Sequence, residues 1–210
     1  SYPTRRKKEA DLLARVPPAA GGKTSTPPKT STPPKTSSQA PASGAASSVA
    51  STQDFFFPFS VLPTRSWKTG ARAFGANRKG GRKHAGCDLY FPKGTWIHAV
   101  ADGEVVHGPK SFYCGTEALE IRHGSLIVRY GEIKPNSFVG GTTVKRGQRI
   151  CQVGHLVGIK VESDMLHIEL YAGTAEGSLT DASTAPYKRR KDLLDPTPYL
   201  DLWSKNLPPP

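Results

Sequence analysis

The chain has 210 residues, 36% of them hydrophobic and 22% charged, with a formal net charge of +12 and a sequence pI near 9.8. That content allows one domain of ordinary size plus a non-globular flank. No run approaches the ~18 consecutive apolar residues of a membrane span, and the amino end is polar, so neither a transmembrane segment nor a signal peptide is predicted in these residues. A basic surplus of this size predicts an acidic or polyanionic partner. No nucleic-acid-binding motif or array of stacking aromatics accompanies it, so sequence-specific nucleic acid binding is not expected.

In chain order, residues 1–16 form a short basic segment containing Arg5, Arg6, Lys7 and Lys8. Isolated helices of this length are marginal, so a solvated tail is expected. Residues 17–53 change to Pro, Ser, Thr, Lys, Ala and Gly, and the hexamer Lys23-Thr24-Ser25-Thr26-Pro27-Pro28 recurs at once from Lys29 to Pro34. Such a segment buries too little apolar surface to offset its ordering entropy, which predicts a disordered linker. The single methionine is Met165, so the chain as it stands lacks an initiator and is expected to be processed or part of something longer. A delivery, immunity or activator protein acting through the N-terminal region fits that expectation.

The folded part is expected over residues 54–203, with 204–210 as a tail. It opens on Phe55-Phe56-Phe57-Pro58-Phe59, read as core packing. A basic, glycine-rich stretch follows, in which Arg72, Arg78, Lys79, Arg82 and Lys83 form either an electropositive approach or a solvated loop. His84 and Asp88 come next, four apart, a spacing that is common in surface loops. Downstream, alternation places Met165, His167, Glu169 and Tyr171 on one face of a strand. Two imidazoles and one carboxylate, with a fourth position left to water, make the ligand set of a catalytic rather than a structural zinc. Between these motifs, short apolar runs at residues 103–107, 118–123, 126–130 and 150–153, punctuated by glycines, predict antiparallel hairpins. His98, His107 and His155 read as surface or packing histidines. The basic run at residues 186–191 reads as a solvated face. Cys87 adjoins Asp88 and would point to the opposite side of an extended segment, so it is not expected to be a ligand. Three cysteines cannot all pair in one chain, and a disulfide between Cys114 and Cys151 is open.

Lys83-His84-Ala85-Gly86-Cys87-Asp88-Leu89 resembles the H-x-G-x-D motif of the lysostaphin/LytM-type zinc peptidoglycan endopeptidases. Gly94-Thr95 through Val106, Val144 through Gly154, and Leu166-His167-Ile168-Glu169-Leu170 resemble further motifs of that family in the same order. Asp195-Pro196-Thr197-Pro198-Tyr199-Leu200 resembles its closing segment, which packs back on the domain. The resemblance implies an all-β fold, mainly an antiparallel β-sandwich or β-roll. It also implies zinc held by His84, Asp88 and His167, and hydrolysis of peptide cross-links in bacterial peptidoglycan, in the periplasm or cell wall. A secreted antibacterial effector is one such role.

The sequence departs from that family at two histidines, replaced here by Met165 and Glu132. A thioether cannot exchange a proton near neutral pH. A carboxylate facing an activated water can act as general base, so Glu132 is assigned that role, with Tyr130 or another donor for the oxyanion and His155 as a displaced histidine in reserve. The alternative is a zinc-containing module that binds peptidoglycan or regulates another hydrolase without cutting.

Overall fold

Residues 55–210 are described by the computed structural model, so the expected basic segment 1–16 and linker 17–53 lie outside the described residues. In chain order the strands are β1 (Cys87–Tyr90), β2 (Trp96–His98), β3 (Gly103–Ser111), β4 (Glu117–His123), β5 (Leu126–Ile133), β6 (Thr143–Val144), β7 (Arg149–Gln152), β8 (Met165–Tyr171) and β9 (Leu193–Leu194). One α-helix, α1 (Thr197–Trp203), follows them. The main sheet runs β1-β8-β5-β4-β3-β6, with β9 also paired to β8, while β2 and β7 form a second sheet. Every pairing is antiparallel, so the expected all-β class holds.

Alternation along the strands divides the main sheet into two unlike faces. Leu89, Leu119, Ile121, Val128, Tyr130, Leu166, Ile168 and Leu170 point one way and join Ile97, Ile150 and Val153 in a single core. The aromatic run at the start of the described chain closes that core. Phe55, Phe57 and Phe59 are buried in it, and Phe55 stacks on Trp203 of α1 at 5.2 Å between ring centroids. Each such side chain contributes roughly 1.5–3 kcal/mol by leaving water. Leu200 and Trp203 dock α1 on the same core, as the resemblance implied for the closing segment. Past the helix, the Phe57 amide donates to the carbonyl of Asn206 at 2.9 Å.

Two expectations change here. Tyr130 lies on the apolar face, fully buried, where its hydroxyl accepts the Val100 amide at 3.2 Å and meets His123 Nε2 at 3.0 Å. It is therefore turned away from the metal-ligand face and is no oxyanion donor. Cys151 is buried in the core and Cys114 sits in a half-exposed turn, and all three cysteines are free thiols.

The opposite face is polar, and the strand register arranges it in rungs. Asp88, His167, Gly131 and Ala118 lie side by side on β1, β8, β5 and β4. The next rung is Glu169, Arg129 and Glu120, and the third is Tyr171, Ile127 and Arg122. The first rung carries the candidate site.

Candidate metal centre

His84 stands just before β1, at the end of the basic loop, with its amide bonded to the Ala76 carbonyl at 2.8 Å. Gly86 lets this segment close on β8. A Cβ there would lie 2.3 Å from the Ile168 carbonyl oxygen and 2.9 Å from the His167 ring, so any larger residue would push β1 off its partner. Gly131 has the same function on the other flank, where a Cβ would meet the Phe112 ring at 2.9 Å.

Among the described residues, His84, Asp88 and His167 form a group whose ligand atoms all lie within 4.8 Å of one another. His167 Nδ1 is 2.8 Å from Asp88 Oδ1, and His84 Nε2 is 3.1 Å from both Asp88 Oδ1 and His167 Nδ1. The outer nitrogens fix the tautomers. His84 Nδ1 donates to the Ala73 carbonyl at 2.9 Å, and His167 Nε2 donates to Glu169 Oε1 at 2.9 Å. With those protons placed outside, two nitrogen lone pairs and a carboxylate oxygen face one another, and only a shared cation, proton or metal, can hold them so close. Zinc–ligand bonds of ~2.0 Å in a tetrahedron imply ligand separations of roughly 3.3 Å, within a few tenths of an ångström of this arrangement. The donor set therefore fits a zinc ion with one position open.

The electrostatics agree. Burial alone would raise the Asp88 carboxyl, but hydrogen bonds from His167 and His84 hold it far below its usual range. Burial lowers His84. Burial would lower His167 too, yet its bonds to Asp88 and Glu169 outweigh it and push it up to about 9. One positive charge is thus favoured at the centre of the cluster.

Behind His167 runs a chain of ion pairs that sequence reasoning had not assigned. Arg129 Nη1 donates to Glu169 Oε2 at 2.9 Å, while its Nε and Nη2 donate to Glu120 Oε1 at 3.1 and 2.8 Å. All three side chains are at most 1% exposed. Arg189 Nε donates to Glu169 Oε1 at 2.8 Å. Burial would raise Glu169, but Arg189 and Arg129 keep it well below its ordinary value. The basic run at residues 186–191 is thus not simply a solvated face, since Arg189 supports the site and Arg190 is buried against Asp192. The shared face of His167 and Glu169 was the available signal; their link to Arg129 depends on strand register.

The other expected residues are placed as follows. Arg78 of the basic loop reaches Asp88, with Nη2 3.6 Å from Oδ2. Cys87 points into the core, its sulfur 3.6 Å from Thr197 Oγ1. Met165 is buried at the start of β8, directly across from Tyr90 on β1, so the Tyr90 phenol lies on the metal-ligand face beside it. His155 is exposed and bonded to Asp164 at 2.8 Å. Glu132 is not a member of the three-residue cluster. It is the extra residue of a bulge in which Glu117 pairs with Ile133 and Ala118 with Gly131, and it adopts φ 61°. The insertion gives the core position to Ile133 and leaves Glu132 half-buried beside Gly131, with its carbonyl accepting the Gly154 amide at 2.9 Å.

Residues 82–179 match the model described as peptidase family M23. Among solved structures, the solution structure of lysostaphin aligns at a TM-score of 0.53 and 17% identity, over 76% of this chain and 61% of lysostaphin, which shows the fold. LytU aligns at 27% identity and a TM-score of 0.46, over 65% of this chain and 89% of its own. A zinc-containing peptidase from Vibrio cholerae aligns at 26% identity and a TM-score of 0.42, over 58% of this chain and 41% of its own. This chain thus spans less than two thirds of two of these three. The resemblance to the lysostaphin/LytM type, read first from four motifs, therefore holds, with residues 82–179 matching peptidase family M23.

Proposed function

We propose that this protein is a zinc-dependent hydrolase that cleaves peptide cross-links of bacterial peptidoglycan, acting in the periplasm or cell wall as a secreted antibacterial effector. The observation that carries the reading is the convergence of His84 Nε2, His167 Nδ1 and Asp88 Oδ1 within 3.1 Å, with the outer ring nitrogens committed to Ala73 and Glu169. Zinc bound there supplies a Lewis acid that polarises a peptide carbonyl and makes water a better nucleophile. The chain's own residues do the rest. Ala73 and Glu169 hold both imidazoles in the tautomer that turns a lone pair inward. Glu132, released from the core by its bulge, takes the proton from the attacking water, since β-bulges near active sites re-aim side chains. Tyr90, on the same side of β1 as Asp88, offers a hydroxyl toward the developing oxyanion.

A second reading, a zinc-containing module that binds peptidoglycan without cutting it, draws on Met165, a buried thioether on the same strand face as His167. Digestion of purified sacculi by zinc-loaded protein, with the muropeptides resolved by mass spectrometry, separates the two. The hydrolase reading expects loss of cross-linked dimers, abolished in His84→Ala and reduced at least 100-fold in Glu132→Gln, the usual scale of a lost general base. Intact dimers with stoichiometric zinc bound would establish the binding module. Full activity in Glu132→Gln would remove Glu132 from the mechanism and turn attention to His155.

A further inference from the structure

The third rung of the polar face opens into a recess of about 270 Å³ lined by Lys110, Glu120, Arg122, Glu176, Ser178 and Arg190, together with apolar side chains and His107, whose Nδ1 is 2.9 Å from Glu120 Oε2. Two of its three cations are already committed. Lys110 Nζ sits 2.8 Å from Glu120 Oε1, and Arg190 grips Asp192 through Nε and Nη2 at 2.7 and 3.0 Å while Nη1 donates to the Gly177 carbonyl. Arg122 is the third. It is half-buried, and among the described residues its guanidinium has no hydrogen bond, ion pair or ring contact. The opposite wall makes room for it. At Gly173, where φ is +71°, a Cβ would lie 2.9 Å from Arg122 Nη1. Glu176 stands exposed in the same wall without reaching Arg122.

A half-buried guanidinium that lines a recess without a partner leaves its planar fork of donors free to match carboxylate and phosphate oxygens. Ser178 adds a second donor, because its oxygen accepts the Thr180 amide at 3.2 Å and its own proton is left to give. The recess lies four residues along β8 and two strands across from His167, roughly 16 Å away, the reach of about five extended residues. We infer that this recess is a subsite for an anionic oxygen group, carboxylate or phosphate, carried by the substrate, with Arg122 as its principal contact. The identity of that carrier as wall polymer rests on the proposed function; the anion site itself does not.

The test follows the Arg122 Nε–H resonance of zinc-loaded protein by NMR during titration with N-acetyl-alanyl-alanine, its C-terminal amide, and inorganic phosphate. The free acid is expected to shift that resonance at millimolar concentration and the amide to leave it in place. Arg122→Gln should weaken binding of the acid about tenfold or more, read from backbone shifts of Ser178 and Gly173. Glu176→Gln, which removes a competing carboxylate, should tighten it. Binding of phosphate with the acid silent keeps the subsite and assigns it to a phosphate polymer. Equal affinity of parent and Arg122→Gln for both anions, with fold intact by circular dichroism, would overturn the inference, as would no binding of either. The same titration on His84→Ala involves no cleavage, so failure of the hydrolase assay and failure of the subsite remain separate results.

Discussion

Glu169→Gln is the sharpest probe of the buried ion chain. Glu169 is fully buried and accepts from Arg129, Arg189, His167 and Tyr171. The amide keeps the shape and one acceptor oxygen but removes the charge that compensates Arg129. Breaking a buried pair in this way costs about 3–5 kcal/mol. The lower end applies, because Glu120 still receives two bonds from Arg129. For a folded part of ~150 residues, a loss of about 3 kcal/mol lowers Tm by roughly 6–12 °C. Zinc affinity should fall independently, by about 10–100-fold, since Glu169 orients the His167 ring. Thermal unfolding in excess chelator isolates the first effect, and competition with a chromophoric chelator at 25 °C measures the second. Arg129→Met should cost more, about 5 kcal/mol, because it removes three hydrogen bonds to two buried carboxylates at once, leaving Glu120 to Lys110 and Glu169 to Arg189. A Tm for Glu169→Gln within ~2 °C of the parent, with unchanged zinc affinity, would refute the reasoning on both counts.

Acid should weaken the fold through His123. Burial holds its folded pKa down at about 4, against an ordinary 6.5, so between these values the unfolded chain binds the extra proton. Its stabilising contribution is complete above pH 6.5 and is lost as pH falls toward 4, by about 3 kcal/mol. Urea midpoints at pH 7 and 4.5 should therefore converge between parent and His123→Gln; parallel behaviour would argue against it. Gly86→Ala should shift β1 from β8 and abolish tight zinc binding, because its Cβ would fall 2.3 Å from the Ile168 oxygen. Gly108→Ala, with nothing within 4 Å, is the matched control and should change stability by less than about 0.5 kcal/mol.

The legible parts of the sequence were those with a local signature. Alternation in residues 118–123 and 126–130 gives strands that the structure extends to Glu117–His123 and Leu126–Ile133. The aromatic run at Phe55 announces core because nothing else accommodates so many rings. His84, Asp88 and His167 were read from motif resemblance; their approach depends on antiparallel pairing across 79 positions, which no short pattern encodes. Register explains the misreadings too. Tyr130 adjoins Arg129 in sequence but lies on the other face of β5, and Arg189 looked solvated because Glu169, its partner, is 20 residues upstream. A buried ion chain therefore appears in sequence as scattered charges, indistinguishable from surface ones until the rungs are assembled.

Glu132 offers a way to distinguish an enzyme from a binding module without a substrate. A non-glycine residue at φ 61° is strained by about 1–2 kcal/mol, and the bulge that carries it interrupts the β4–β5 ladder. The proposed hydrolase assigns the Glu132 carboxylate the role of general base, whereas the binding-module reading places no catalytic demand on it. Glu132→Gly relieves the strain at the cost of a half-buried side chain. We expect it to match or exceed the parent in stability by up to about 1 kcal/mol while losing cross-link hydrolysis. Urea unfolding and sacculus digestion on the same preparation measure both. If Glu132→Gly were clearly less stable than the parent and still hydrolytic, the glutamate would be a structural residue, and the base would have to be sought elsewhere on the polar face.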